Sequence, residues 1–427
     1  MWLPPVSVII PAHNEEKVIC NSLRSVLRSR YPVFEVIVVS DGSTDRTLEV
    51  LREEFHLVRT TRPPLFKVPC RPTRAAFVSA TEPRLLVVDK ENGGRADALN
   101  AGLAFSRYHL VVCIDADSVV EPDSLLRCAR PFSDPRTQAA GGVIRVLNGC
   151  RVVGGHLVEP GLPGNPLVVM QAVEYARAFF TQRPAFDTLG SLPIISGSFG
   201  MFRRQTLIEV GGFSNRTVAE DMELVLRLHH HFRSQPGRRA YRQVFVPDPV
   251  VWTEVPETIG DLGRQRRRWQ RGLAQALWAY RHMLFRPRFG WLGMVVLPYY
   301  WLYELLEPVI LALGYVLTVA GVLAGWLHQT ALVGLFLLPV SLNLVISLMA
   351  LFYGELPFGR YQGLRDLARL VFWSFTEPFW YRWLSVAWRL AGLWDALRAK
   401  QGWEKPERVG AWAVSPHDVR PGRGSSG

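Results

Sequence analysis

Strands and helices alternate in the hydrophobic pattern of the first 120 or so residues. Short β-branched runs at 6–10, 36–39, 85–88 and 110–114 are separated by helix-period stretches at about 15–29, 45–55 and 96–105. This alternation predicts an α/β domain with a mostly parallel sheet covered on both faces, because each parallel connection needs a crossover helix. Residues 59–83, rich in Pro and Arg and without periodicity, predict an exposed loop between two strands. Helices are expected again at 167–182 and 220–232, and a strand at 241–246.

Past Glu257 the pattern changes. Leu262, Trp269, Leu273, Leu277 and Tyr280 recur at helical spacing beside Arg264, Arg266, Arg267, Arg268 and Arg271, which predicts a basic amphipathic helix in a membrane interface. Residues 305–327 are apolar apart from Glu307, and 331–353 carry no charge. Each is long enough to span a bilayer, about 35 Å as helix. The connector near His328 lacks Lys and Arg, whereas the flanks carry Arg264 to Arg271 on one side and Arg360, Arg365 and Arg369 on the other. Both ends of this hairpin are therefore expected in the cytoplasm. A third apolar stretch, 367–390, contains Glu377, Arg382 and Arg389 and reads as interfacial or re-entrant. The expected organisation is a cytosolic α/β domain at 1–256, an interface helix region at 257–290, a membrane region at 291–390 and a basic cytosolic tail at 391–427, disordered at its end.

Composition narrows the partners. Lys and Arg number 49 against 37 Asp and Glu in 427 residues, a net charge of +12. Such a balance suits nucleic acid, anionic phosphates or an anionic membrane surface. Fourteen Trp residues and the long apolar stretches favour the membrane, so membrane lipids and phosphates are expected and nucleic acid is not. Cys20, Cys70, Cys113, Cys128 and Cys150 have no C-x-x-C spacing and all precede the apolar region, which points to a cytosolic head without disulfide framework or structural zinc. No signal-peptide pattern precedes the first strand.

Candidate chemistry clusters where strands end. Pro11, Asn14 and Glu15 follow the first strand, and Asp41 with Gly42 follows the second, at the carboxyl edge where open α/β sheets bind ligands. These fit either hydrogen bonds to a base or ribose or plain helix N-caps. Asp115 and Asp117 follow the run at 110–114; as an isolated Asp-x-Asp they fit turn caps, but in register with Asp41 they suit Mg²⁺ or Mn²⁺ against a diphosphate. Lys90, Arg95 and Asp97 flank a Gly-rich loop opening a helix, a phosphate approach or an ordinary connection. Glu220 and Asp221 begin another helix, as general base or as cap. His229, His230 and His231 lack ligand spacing and read as a solvated helix end. Gln265, Arg268 and Trp269 combine an amide, a guanidinium fork suited to pyrophosphate and an indole suited to a sugar face.

Taken in order, these motifs resemble the family 2 glycosyltransferases, closest to the processive bacterial synthases of the cellulose, hyaluronan and poly-N-acetylglucosamine type. The resemblance covers about residues 6–390. It implies a GT-A type nucleotide-sugar-binding domain followed by C-terminal interfacial and transmembrane helices, at the cell (inner) membrane and multi-pass, with the catalytic domain cytoplasmic. It assigns Asp41 to the nucleotide, Asp115 and Asp117 to the metal and diphosphate, Asp221 to the base, and Gln265, Arg268 and Trp269 to the acceptor end and diphosphate. Residues 195–200 look like the loop beside the acceptor. The implied reaction is inverting transfer of a hexose or N-acetylhexosamine from a UDP-linked nucleotide-sugar to a glycan, with single transfer to a lipid-linked acceptor, or a non-catalytic nucleotide-binding role, as rivals. Ala219 stands where the family's acid motif has Thr or Gly, and related synthases carry a membrane helix ahead of the first strand.

Overall fold

A computed structural model of the chain describes residues 3–235, 240–355, 361, 363–398 and 413–414. Its first part runs β1 (Val6–Ala12), α1 (Ile19–Leu27), β2 (Phe34–Asp41), α2 (Thr47–Phe55), β3 (Leu57–Thr60), β4 (Thr73–Ser79), β5 (Leu85–Lys90), α3 (Arg95–Phe105) and β6 (Leu110–Ile114). Then come β7 (Ser118–Val120), α4 (Ser124–Ala129), β8 (Thr137–Val146), β9 (Arg151–Val153), β10 (His156–Glu159), α5 (Pro166–Arg177), α6 (Arg183–Thr188), β11 (Phe199–Arg203), α7 (Arg204–Glu209), α8 (Glu220–Ser234) and β12 (Arg242–Thr253). Six helices follow: α9 (Ile259–Ala279), α10 (Leu292–Leu305), α11 (Glu307–Leu323), α12 (Gln329–Glu355), α13 (Leu364–Thr376) and α14 (Tyr381–Leu397).

Ten strands form one sheet in the order β3-β4-β5-β2-β1-β6-β11-β8-β12-β7. The centre, β5-β2-β1-β6, is parallel, and its β-branched runs are buried because helices cover both faces. The sheet as a whole is mixed rather than mostly parallel, since β3, β4, β7 and β11 all pair antiparallel with their neighbours. The expected loop at 59–83 supplies part of this difference. Residues of β4 pair with β3 on one side and β5 on the other, with Phe77 buried beneath the Arg52 guanidinium 4.6 Å from its ring. One solvated face and flanking prolines hide that strand's period in the sequence.

The expected solvated helix end at residues 229–231 holds only in part, since His230 and His231 are half-buried while His229 is a core residue. His229 is fully buried; its Nε2 donates to the Leu192 carbonyl at 2.8 Å and its Nδ1 accepts from the Tyr241 hydroxyl at 2.6 Å. Burial holds its pKa down at about 3, so it is a neutral core residue.

Among the described residues one helix, Thr330–Gly354 within α12, is long and apolar enough to cross a membrane. A second span exists only if α10 and α11, bent by 50° at their junction, are taken together. Pro308 at the start of α11 lacks the N–H that would continue the ladder, which breaks the helix and leaves α11 with 17 residues. The stretch at 367–390 folds as α13 and α14 on either side of a turn, and α14 lies along α9. There Arg267 pairs with Asp395, while Arg266 pairs with Glu174, which also accepts from the Tyr381 hydroxyl at 2.9 Å. These arginines of the basic helix tie the α/β domain to the C-terminal helices. Most of the tail at 391–427 lies outside the described residues; Ala413–Val414 adds a short parallel strand, β13, beside β9.

Candidate active site

Four parallel strands deliver chemistry to one edge of the sheet. Asn14 follows β1, Asp41 ends β2, Lys90 ends β5 and Asp115 follows β6. The first three build a scaffold for the loops. Asn14, in the left-handed region at φ 55°, accepts the Thr44 amide on its Oδ1 at 2.8 Å, joining the loops after β1 and β2. Glu15 is buried beside it, and its amide donates to the Thr47 hydroxyl at 2.8 Å; Pro11 lies within β1 opposite Val39. Asp41 takes the Lys90 ammonium at 2.5 Å and the amides of Gly93 and Gly94 at 3.0 and 2.8 Å. Lys90 is fully buried and also meets Asp97 at 2.7 Å and the Glu91 carbonyl. Its three donors are all spent inside the protein, so it positions the Gly-rich loop. Gly42 is required here: its φ is +62°, and a Cβ would sit 2.7 Å from the Asn92 amide nitrogen.

Arg95, the first residue of α3, joins the two acidic motifs. Its Nε and Nη2 donate to one oxygen of Asp115 at 3.0 and 2.7 Å, its Nη1 pairs with Glu220, and Nη2 also reaches the Gly197 carbonyl at 2.8 Å. Burial alone would lower the Arg95 pKa, but Asp115 and Glu220 outweigh it and hold it above the ordinary value. The Ser198 hydroxyl donates to the other Asp115 oxygen at 2.6 Å, and the Gly197 amide donates to Asp221 at 3.1 Å. The loop at 195–200 thus touches Asp115 and Asp221 together. Asp117 is buried two residues on, within 3.3 Å of the Thr253 hydroxyl at the end of β12.

Asp221 is pushed above the usual carboxylate range, first by burial and then by Glu220; the amides of Met222 and Gly197 and the Arg95 charge oppose the shift. A carboxylate raised in this way is suited to accept a proton.

Helix α9 reaches this centre through its small residues. A Cβ on Gly272 would lie 2.8 Å from that of Ala219, and the Gln275 side chain accepts the Val218 amide at 3.0 Å. The start of α8 is therefore clamped against α9, which carries Gln265, Arg268 and Trp269. Gln265 is half-buried, and its Oε1 has no hydrogen-bond partner among the described residues. Arg268 is half-buried, and Trp269 is 42% exposed with the Arg266 guanidinium 4.4 Å from its ring. Sequence order points to the strand-end acids, the acid motif and the loop at 195–200, but not to the Ser198–Asp115 and Thr253–Asp117 pairs, since single hydroxyl residues carry no spacing signal.

As for metal, no group of three or more His, Cys, Asp or Glu forms a binding cluster among the described residues. Asp115 and Asp117 supply two hard carboxylates, a set that fits Mg²⁺ or Mn²⁺ when substrate phosphates complete the shell.

The chain is similar to known proteins in sequence and fold. Residues 7–211 match Glycosyl transferase family 2, and residues 110–394 match Glycosyl transferase family group 2. The poly-beta-1,6-N-acetyl-D-glucosamine synthase of Staphylococcus aureus (strain COL) is 27% identical over 271 residues, 63% of this chain and 55% of that protein. Its Staphylococcus epidermidis counterpart is 29% identical over 269 residues, 62% of this chain and 54% of that one. The chain spans about half the length of these curated relatives. In fold it is similar to the mannosyltransferase PcManGT from Pyrobaculum calidifontis, solved in complex with GDP-Man and Mn²⁺, at a TM-score of 0.52 and 21% identity over 94% of this chain and 89% of that one. With a family match over residues 110–394, well beyond half of its length, the chain belongs to the family 2 glycosyltransferases.

Proposed function

We propose that this chain is a membrane-bound inverting glycosyltransferase that takes a hexose or N-acetylhexosamine from a nucleotide-sugar, UDP-linked, and adds it to a growing polysaccharide. The observation that carries this reading is the Arg95 junction. A single guanidinium couples Asp115, at the edge where a diphosphate would sit, to Glu220 and the loop that holds Asp221. Donor and acceptor chemistry thereby share one rigid support, as a direct displacement requires.

Asp221 accepts the proton of an acceptor hydroxyl, which attacks the anomeric carbon opposite the departing nucleoside diphosphate, so configuration inverts. Asp115 and Asp117 would hold Mg²⁺ or Mn²⁺, whose chemistry when bound is to offset charge on the leaving diphosphate. Gln265, Arg268 and Trp269 hold the acceptor end and the diphosphate from α9. Support for a metal and a nucleotide-sugar comes from the complex named for the Pyrobaculum mannosyltransferase, and support for a polymer product from the staphylococcal synthases. The exposed apolar surfaces of α11 and α12, including Leu317, Leu323, Leu338 and Phe352, support a position in the cell membrane with the catalytic domain cytoplasmic.

The test is a screen of radiolabelled nucleotide-sugars against membranes containing the full chain, with products resolved by length. Transfer from a UDP-sugar into long chains is expected. A single-sugar product on lipid would replace the polymer reading, and failure of every donor would end the catalytic one.

A further inference from the structure

Between α5 and α6 the chain makes one wide, π-helical turn at residues 178–182. Pro184 lacks the N–H that would have met the Phe180 carbonyl, which lets the ladder widen there. The turn is braced on three sides. Thr181 donates to the Arg177 carbonyl at 2.6 Å, Gln182 Nε2 reaches Tyr299 Oη and Glu304 Oε1 at 3.3 and 3.0 Å, and Phe186 packs on Tyr299 and Tyr300. Arg183 is thereby fixed as the first residue of α6.

Its surroundings are unusual for a cation. The guanidinium lies 3.8 Å from the Phe179 ring centroid, and Nη1 is buried with no hydrogen-bond partner among the described residues. The acidic groups that act on it are the Asp221 carboxylate and the phenols of Tyr300 and Tyr175. Burial lowers its pKa to about 10, so the group is still charged at neutral pH. A buried donor left unmade is costly in a folded protein, so this one calls for a partner. The Asp221 charge acts on it, and the acceptor that Asp221 must deprotonate carries oxygens able to complete this donor.

We propose that Arg183 is an acceptor-binding residue: its buried Nη1 donates to an oxygen of the acceptor sugar while Phe179 fixes the plane of the guanidinium. The proposal rests on the glycosyltransferase reading and adds to it a residue outside the recognised motifs. With the donor assigned to Asp115 and Asp117, Arg183 is expected to act on the acceptor alone.

The experiment compares the full-length wild type with Arg183→Gln and Arg183→Lys in detergent. UDP-N-acetylglucosamine with Mn²⁺ serves as donor, and a β-1,6-linked N-acetylglucosamine pentamer as acceptor. For Arg183→Gln the acceptor KM is expected to rise roughly tenfold or more, the loss of one charged hydrogen bond. Donor Kd stays as in wild type, and Arg183→Lys recovers part of the loss. An unchanged acceptor KM, or a donor Kd that rises in parallel with it, overturns the proposal. Should Arg183→Gln fail to fold, Arg183→Lys decides: it keeps the charge without the planar fork, and must raise acceptor KM at unchanged Tm. A wild type that neither hydrolyses nor transfers this donor or other nucleotide-sugars would instead sink the reading beneath the proposal.

Discussion

Arg95 holds Asp115 through two nitrogens of its fork, Nε at 3.0 Å and Nη2 at 2.7 Å, while its third nitrogen is on Glu220. A lysine offers one point charge and cannot span both carboxylates. Arg95→Lys is therefore expected to slow transfer by roughly a hundredfold, the loss of one or two charge-assisted hydrogen bonds. Initial rates across a Mn²⁺ titration check this, and near wild-type rates would mean that the junction is not used in turnover.

Lys90 and Asp41 form a second test, of stability rather than rate. Both are buried, at 0% and 3% exposure, and each is the other's charge partner. Lys90→Met leaves the Asp41 and Asp97 carboxylates without their cation, a change expected to cost about 3–5 kcal/mol. Chemical denaturation of the purified variant measures it; a loss below about 1 kcal/mol, the range of a surface pair, would contradict the buried role.

The pKa of Asp221 has a sign that can be checked. Burial and Glu220 raise it in the folded state above its unfolded value, so the folded chain binds this proton more tightly. Above the folded pKa the ionised carboxylate costs folding energy, and below the unfolded pKa, about 3.9, that cost is absent. Asp221→Asn should thus raise Tm near neutral pH, with the gain shrinking as pH falls toward the ordinary carboxylate range. A variant less stable than wild type at neutral pH would contradict the raised pKa.

Topology is tested by labelling. With Cys-free protein in sealed vesicles, single cysteines at Asp45 and Arg365 are expected to react from the same side, because basic residues flank the apolar stretches at 305–327 and 331–353 on both sides. Reaction from opposite sides would mean that the number of crossings is odd.

Much of this was legible because it follows from local chemistry. The four central strands are continuous apolar runs, and the acids at 41, 115, 117, 220 and 221 follow strand ends or open helices, where sequence order alone places them. The strands at 57–60 and 73–79 were not legible, since only one face of each packs and prolines surround them. Arg266 and Arg267 looked like a lipid-facing charge run because their partners, Glu174 and Asp395, lie about ninety residues before and about 130 after them in sequence. The broken helix at Leu306 was hidden by unbroken hydrophobicity, which reports burial in lipid or protein but not the missing N–H of Pro308. His229 was misread because a polar residue satisfied by two distant groups carries no signal of burial.

The central claim is that Asp221 removes the acceptor proton in a site whose donor half stands on Asp115 and Asp117. Asp221→Asn keeps the side-chain shape and the Gly197 contact but removes the base, so it separates the two halves. The direct measurement is nucleotide-sugar affinity by calorimetry alongside the initial transfer rate of the same preparation. Affinity should remain as in wild type while transfer falls by roughly 10²–10⁴. Transfer by Asp221→Asn at near wild-type rate would contradict the account and move the search for the base to Glu220.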